Sequence, residues 1–375
     1  MVQLSLRRPE LRPMGARDVL RRLPLALTVL AIAIALIYVL FVTNAVPASG
    51  LGNWRTTNFG SAVSDPTDFL YTVLDSVTFA GLLFIVASGF TLIFGLMRTV
   101  NMAHGSFYLL GGYIAYDVQQ SMTSTGGFGL TSAQVGWGQW IVPAIVACAA
   151  IAVIGLLMQQ AFLRWNQGQE IRQALITIAV SLILADQMIA HYGGLEDNLA
   201  FPNTIGTDKF IRLGGISYAW SRMFILFVAI GIGVGLWLWL HKTRIGMVIR
   251  AGVDDRHMVS ALGVNVQFVF ALSFLVGSAL AGFGGVMGGT FAGLAPEVDG
   301  QWLLNALVVV IIGGMGSLGG AAVGALLYAF VSDFSGLYLP TTSNQCCTEY
   351  SVIFTFALLA FVLALRPLGL FGRPA

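Results

Sequence analysis

The feature that most constrains this chain is the length of its charge-free apolar runs. "LPLALTVLAIAIALIYVLFV", residues 23–42, carries no charge over 20 residues, and about 20 such residues cross a hydrocarbon core roughly 30 Å thick. Apolar runs, some shorter and some with a charge near an edge, bounded by polar residues or by Gly and Pro, lie at 23–43, 71–97, 105–118, 139–163, 174–191, 222–240, 265–289, 302–313, 319–335 and 350–366. In lipid, helices of this length satisfy every backbone group internally. The expected fold is therefore all-α, a polytopic transmembrane bundle of about 8–10 membrane segments, some short or broken. Composition agrees: charged residues are 10% of the chain, against about 25% in soluble domains. The 45 glycines suit close helix packing where lipid supplies no hydrophobic drive.

Charge distribution orients the bundle. Threading ten segments places 15 of the 19 Lys and Arg residues on one side, including six Arg before residue 23. Arg55, Lys209, Arg212 and Arg222 fall on the other. By the positive-inside rule both termini and residues 241–263 are expected to be cytoplasmic, and 192–221 and 336–349 external. The first run reads as a retained anchor helix, although "TNAVPASG" after it offers the small residues of a signal cleavage site. The net charge of +2 points to no nucleic-acid partner.

Two segments, 105–118 and 302–313, are too brief to span as ordinary helices. "NMAHG" precedes the first and "GGMGSLGG" follows the second. Broken, Gly-punctuated segments at membrane depth belong where protein or a water-filled path covers them. Asn101 and His104 are expected at the cytoplasmic end of the 71–97 span, ahead of a half-helix beginning at Gly105. There they either satisfy freed backbone groups or line a gate. Asn305, Gly314 and Gly316, at the second interruption, complete the candidate translocation residues.

Enzymatic motifs fail on inventory. Gly314, Gly316 and Gly319 match G-x-G-x-x-G after a β-branched run, with Asp333 nineteen residues beyond Gly314. That fingerprint needs a βαβ unit, and both flanks here are membrane-length apolar runs, so a helix break is expected instead. Pairs such as Gly284/Gly288 and Gly320/Gly324 fit close helix contacts. The two lysines, Lys209 and Lys242, end no Walker A loop. The four histidines have no metal-ligand spacing. No catalytic, metal or cofactor residue is expected in this chain. Three cysteines form no disulfide framework, and Cys346 and Cys347 receive no role.

"HKTRIGMVIRAGVDDRHMVSALGVN", 241–265, is the longest charged stretch between two spans. Arg250 to Leu262 is expected to form a short helix with Met258, Val259 and Leu262 on one face, stopped at Gly263. Its Arg250, Asp254 and Asp255, with Gly246 ahead, suit docking to a cytoplasmic partner; the plainer reading is a basic loop that sets topology.

Together "FGLMRTVNMAHGSFYLLGGYIAY", "GMVIRAGVDDRHMVSALGVN", "VVVIIGGMGSLGGAAVGALL" and "RPLGLFGRP" resemble the branched-chain amino acid ABC transporter permeases, in the same order over most of 70–373. The resemblance implies a permease domain over 69–373, preceded by an Arg-rich tail (1–22) and an added helix with its loop (23–68). It implies an inner-membrane subunit that imports branched-chain or related amino acids. Its partners would be a second permease, related or identical, two cytoplasmic ATP-binding subunits that use the ATP, and an external solute-binding protein. Asn305 stands where such proteins often carry Lys, and Gly319 where Pro is common, which leaves the solute open. Permeases for urea or short amides belong to the same superfamily. A self-sufficient secondary transporter would want intramembrane carboxylates, and the spans offer Asp75, Asp186 and Asp333 near their edges.

Overall fold

The computed structural model describes residues 66–97, 100–123, 135–206, 209–213, 216–254, 256–338 and 348–372. The Arg-rich tail, the 23–43 segment, Arg98, Asp255, the Asp254 side chain and Cys346–Cys347 lie outside these.

Helices dominate. Along the chain they are α1 (Pro66–Met97), α2 (His104–Met122), α3 (Gly138–Met158), α4 (Glu170–Tyr192), α5 (Trp220–Lys242), α6 (Arg244–Asp254), α7 (Arg256–Ala261), α8 (Val266–Phe291), α9 (Val298–Gly313), α10 (Leu318–Tyr338) and α11 (Thr348–Leu365). Among the described residues six helices are long and apolar enough to cross a membrane, and α9 and the apolar part of α11 are shorter. This is a multi-pass helical bundle. Its centre is α1, apolar on all sides and mostly buried, as an interior helix must be; α5, α8, α9 and α10 pack around it.

Small residues set how close the helices come. A Cβ on Gly285 would overlap the Tyr108 carbonyl oxygen, and one on Gly288 the Tyr108 hydroxyl. At Gly111 it would crowd the backbone of Gly282. The α2–α8 contact is thus nearly backbone to backbone, the geometry that replaces hydrophobic drive in lipid. Gly320 and Gly324 lie at such backbone contacts, with Gly313 and Val309, while Gly284 and Gly288 make room for the side chains of Val86 and Tyr108.

The two ends of the bundle differ. One carries an antiparallel hairpin, β1 (Phe210–Leu213) with β2 (Ile216–Ala219), a local exception to the all-α expectation. Tyr218 of β2 donates to the Leu74 carbonyl at 3.0 Å and meets Thr78 Oγ1 at 2.8 Å. Burial pushes its phenol up to about 12, so it remains a donor at neutral pH. The other end carries α6 and α7, which replace the single short helix expected over 250–262. We call these the hairpin end and the loop end.

Both short segments are longer than their apolar runs. Helix α2 continues to Met122 because Gln119, fully buried, exchanges two hydrogen bonds with the Ala200 backbone. Helix α9 reaches back to Val298, with Asp299 buried in its first turn. Polar residues that read as segment ends are satisfied inside the fold. The run Val308–Ile312 is helical, so the strand a dinucleotide fingerprint requires is absent there.

Candidate translocation site

Helix α2 begins inside the bundle. The His104 Nε2–H donates to the Val86 carbonyl at 3.0 Å, and its ring meets Phe90 edge-on at 5.3 Å. Val86 lies eleven residues before the end of α1, or about 16 Å at 1.5 Å per residue. Asn101 and His104 are expected from the sequence at the cytoplasmic end of the 71–97 span; His104 instead packs beside Val86, well inside α1, and α2 restarts there. Starting a helix there exposes N–H groups that lipid cannot satisfy. Asn101 Oδ1 accepts from the Ala103 N–H at 3.1 Å, and Thr177 Oγ1 of α4 accepts from Met102 at 3.2 Å. Asn101 therefore serves the freed backbone. At Gly105 a side chain would collide with the Asp299 carbonyl and Leu303.

A second helix begins at the same place. Ser106 Oγ donates to Asp299 Oδ2 of α9 at 2.8 Å and meets Ser181 Oγ of α4 at 2.8 Å. Asp299 sits at its own helix N-terminus, where the dipole favours a carboxylate, and beside the start of α2. The Tyr108 ring stacks on Trp302 at 4.5 Å. His104 and Ser106 have no solvent exposure, Asn101 3% and Asp299 8%. This polar cluster is closed off.

Asn305 is on another face of α9 and does not join it. It lines a cavity of about 310 Å³ between α1, α9, α10 and α11, toward the hairpin end. Tyr328 donates to Asn305 Oδ1 at 2.7 Å, leaving the amide NH2 as a donor. Two carboxylates, Asp75 and Asp333, line the same space, with Phe79, Val308 and Phe356 as apolar wall. Arg222 forms an ion pair with Asp75, and its guanidinium lies 5.3 Å from the Phe291 ring centre.

Gly314 and Gly316 are in a third place, the tight α9–α10 turn at the loop end. Their φ angles of 103° and 83° are ones that other residues rarely adopt. Gly314 packs on Phe371 and Gly372, and Gly316 on Gly95. The six candidate residues thus divide among a sealed break, an open cavity and a turn.

At the loop end, Gly246 is pressed against the Trp239 and Leu240 carbonyls. Ile249 and Val259 are buried, tying α6 and α7 to the bundle. Arg250 is exposed, as are Met247 (52%), Met258 (62%) and Leu262 (77%). Val259 therefore does not share the outward face expected of it with Met258 and Leu262, because it packs inward. Gly263 ends α7 with φ 80°.

With this geometry in view, a family model described as branched-chain amino acid transport system / permease component matches residues 72–363. The chain belongs to this family. Among curated relatives of this permease, it is 26% identical over 82% of its length to the high-affinity branched-chain amino acid transport system permease protein LivH of Escherichia coli (strain K12), covering 96% of that protein. It is also 26% identical to BraD of Pseudomonas aeruginosa, over 82% of this chain and 96% of the relative. For the probable branched-chain amino acid transport permease protein LivH of Methanocaldococcus jannaschii the figures are 23%, 79% and 90%. Among solved structures, PsaBC from Streptococcus pneumoniae in complex with Fab aligns over 82% of this chain and 94% of that one, at 11% identity and a TM-score of 0.42.

The matched stretch of this branched-chain permease homologue contains the break, the cavity and the loop-end helices. Sequence reading missed Asp299, Ser106, Thr177 and Ser181, which complete the break, and Tyr328, which holds Asn305. Asp299 had a visible signal: a carboxylate three residues before the 302–313 apolar run, where a helix starting earlier would bury it.

Proposed function

We propose that this chain is the transmembrane permease subunit of an ABC importer for branched-chain or related amino acids, located in the inner membrane. It leaves ATP hydrolysis to two separate cytoplasmic ATP-binding subunits, pairs with a second permease, and receives solute from an external binding protein. Family membership and the names of the relatives support the solute class. The observation that carries the coupling is the exposed face of Met258 and Leu262, with Met247 and Arg250 nearby, at one end of a membrane bundle. Apolar side chains left outward there suit a groove on a partner. The loop end is cytoplasmic in this reading, with both termini, since 15 of 19 Lys and Arg residues thread to that side. The hairpin end faces outward.

Removing a buried apolar anchor at such a contact costs on the order of 2 kcal/mol, and reversing a charge leaves its counterpart unpaired. Arg250→Glu and Leu262→Asp are expected to insert normally, co-purify with less ATPase subunit, and transport correspondingly less. Normal ATPase retention and uptake in both variants would reduce this segment to a topology signal.

A further inference from the structure

The cavity beside Asn305 has the composition of a solute site. Its walls combine aliphatic and aromatic carbon (Phe79, Leu304, Val308, Phe356) with a hydroxyl and amide set. Its charges do not balance: Asp75 and Asp333 are both lining carboxylates against one guanidinium, Arg222, which is ion-paired to Asp75 and also attracts Asp333 from farther away. Among the described residues Asp333 has no ion-pair partner, so the cavity carries an excess negative charge. It also reaches the surface of the chain, because its lining residues Leu304, Val352 and Phe356 are about half exposed. A carboxylate-lined opening at membrane depth does not face hydrocarbon; it borders a watery path or another protein. Its volume of about 310 Å³ is at the low end of ligand pockets, roughly 300–1,000 Å³, which suits one small molecule rather than a peptide.

From these observations we infer that this cavity is a binding station for a zwitterionic α-amino acid with an aliphatic side chain. Its ammonium group is held at Asp333, its carboxylate by the Asn305 NH2 and neighbouring hydroxyls, and its side chain lies on Phe79, Val308 and Phe356. The inference rests on the permease reading and adds a location and a charge requirement to it. A neutral amide brings no cation to Asp333 and is disfavoured, which separates amino acids from urea-like solutes.

The test uses the full chain with its partner subunits in lipid nanodiscs, without the solute-binding protein. Equilibrium binding of tritiated leucine is measured. Saturable binding is expected, competed by valine but not by 4-methyl-2-oxopentanoate, which lacks the ammonium group. Loss of a hydrogen bond to a charged group predicts that Asp333→Asn weakens binding on the order of tenfold or more. Leu304→Trp, at a half-exposed position, fills the cavity without disturbing the core and abolishes binding. No saturable binding by the wild type, equal competition by the keto acid, or wild-type binding in both variants would overturn the assignment. Leucine uptake by cells expressing the wild-type transporter separates the two levels. Uptake together with wild-type binding in both variants defeats the cavity and leaves the permease reading standing; absence of any amino-acid uptake defeats both.

Discussion

The break and the cavity are both polar, both at membrane depth and both bounded by α9, yet they differ in nearly every physical respect. At the break Asn101, His104, Ser106 and Asp299 are enclosed, and their bonds run to a helix start, to neighbouring side chains and, for His104, to the Val86 carbonyl inside α1. At the cavity Asn305, Ser332 and Asp333 border open volume. Polarity inside a span therefore has two uses. One completes backbone that lipid cannot satisfy; the other meets solute or water. Exposure, which depends on how helices assemble, separates them.

The comparison breaks most easily at the tight packing of α2. Gly285→Leu forces a side chain into the Tyr108 carbonyl, and overpacking against backbone is expected to cost about 3 kcal/mol, the upper end of the usual range. Membrane abundance of the folded protein should fall to near background. Gly319→Ala, where nothing lies within 4 Å, should stay within about 0.5 kcal/mol of wild type. Comparable abundance of the two would mean that α2 and α8 are not in backbone contact.

Asp299→Ala comes next. It removes the acceptor of the Ser106 bond between two helix starts, and groups left unpaired in a buried site cost roughly 1–3 kcal/mol each. Thermal unfolding in detergent should shift down, and uptake should fall only in proportion to surviving protein. Asn101→Leu and His104→Leu are expected to behave the same way at smaller magnitude, about 1 kcal/mol each. A loss of flux at full abundance in either would return the break to the transport path.

The smallest stability effect is expected at the cavity. Tyr328→Phe deletes one hydroxyl bonded to Asn305 at the edge of open space, and its cost should not exceed about 1 kcal/mol. Uptake per folded molecule should nonetheless change, because the Asn305 amide loses the bond that orients it. Unchanged uptake would remove Asn305 from the path.

Much of the fold was legible because helix length and apolar content are local properties. The nine apolar runs from 71 onward each correspond to a helix, and the Gly314–Gly316 break was readable from composition alone. What local reading could not supply was which polar residues continue a helix. Gln119 looks like an end until Ala200, some 80 positions away, is known to receive its amide. Asp299 lies outside its apolar run until Ser106 is brought to it. The candidate site was half visible: Asn101, His104 and Asn305 stood out as polar interruptions. That Asn305 belongs with Asp75 and Asp333 follows only from the packing of α1, α9, α10 and α11. The β-hairpin, too, owes its place to Tyr218 reaching α1.

Two serines test the contrast most directly. Ser106 lies in the break and Ser332 lines the cavity. With Cys148, Cys346 and Cys347 replaced, Ser106→Cys and Ser332→Cys are each exposed to a membrane-impermeant maleimide in the assembled transporter. Ser332→Cys is expected to label from the outside, more slowly with leucine present, while Ser106→Cys stays unlabelled until the protein is denatured. Labelling of Ser106→Cys as fast as Ser332→Cys would contradict the division between a sealed structural break and an open solute path.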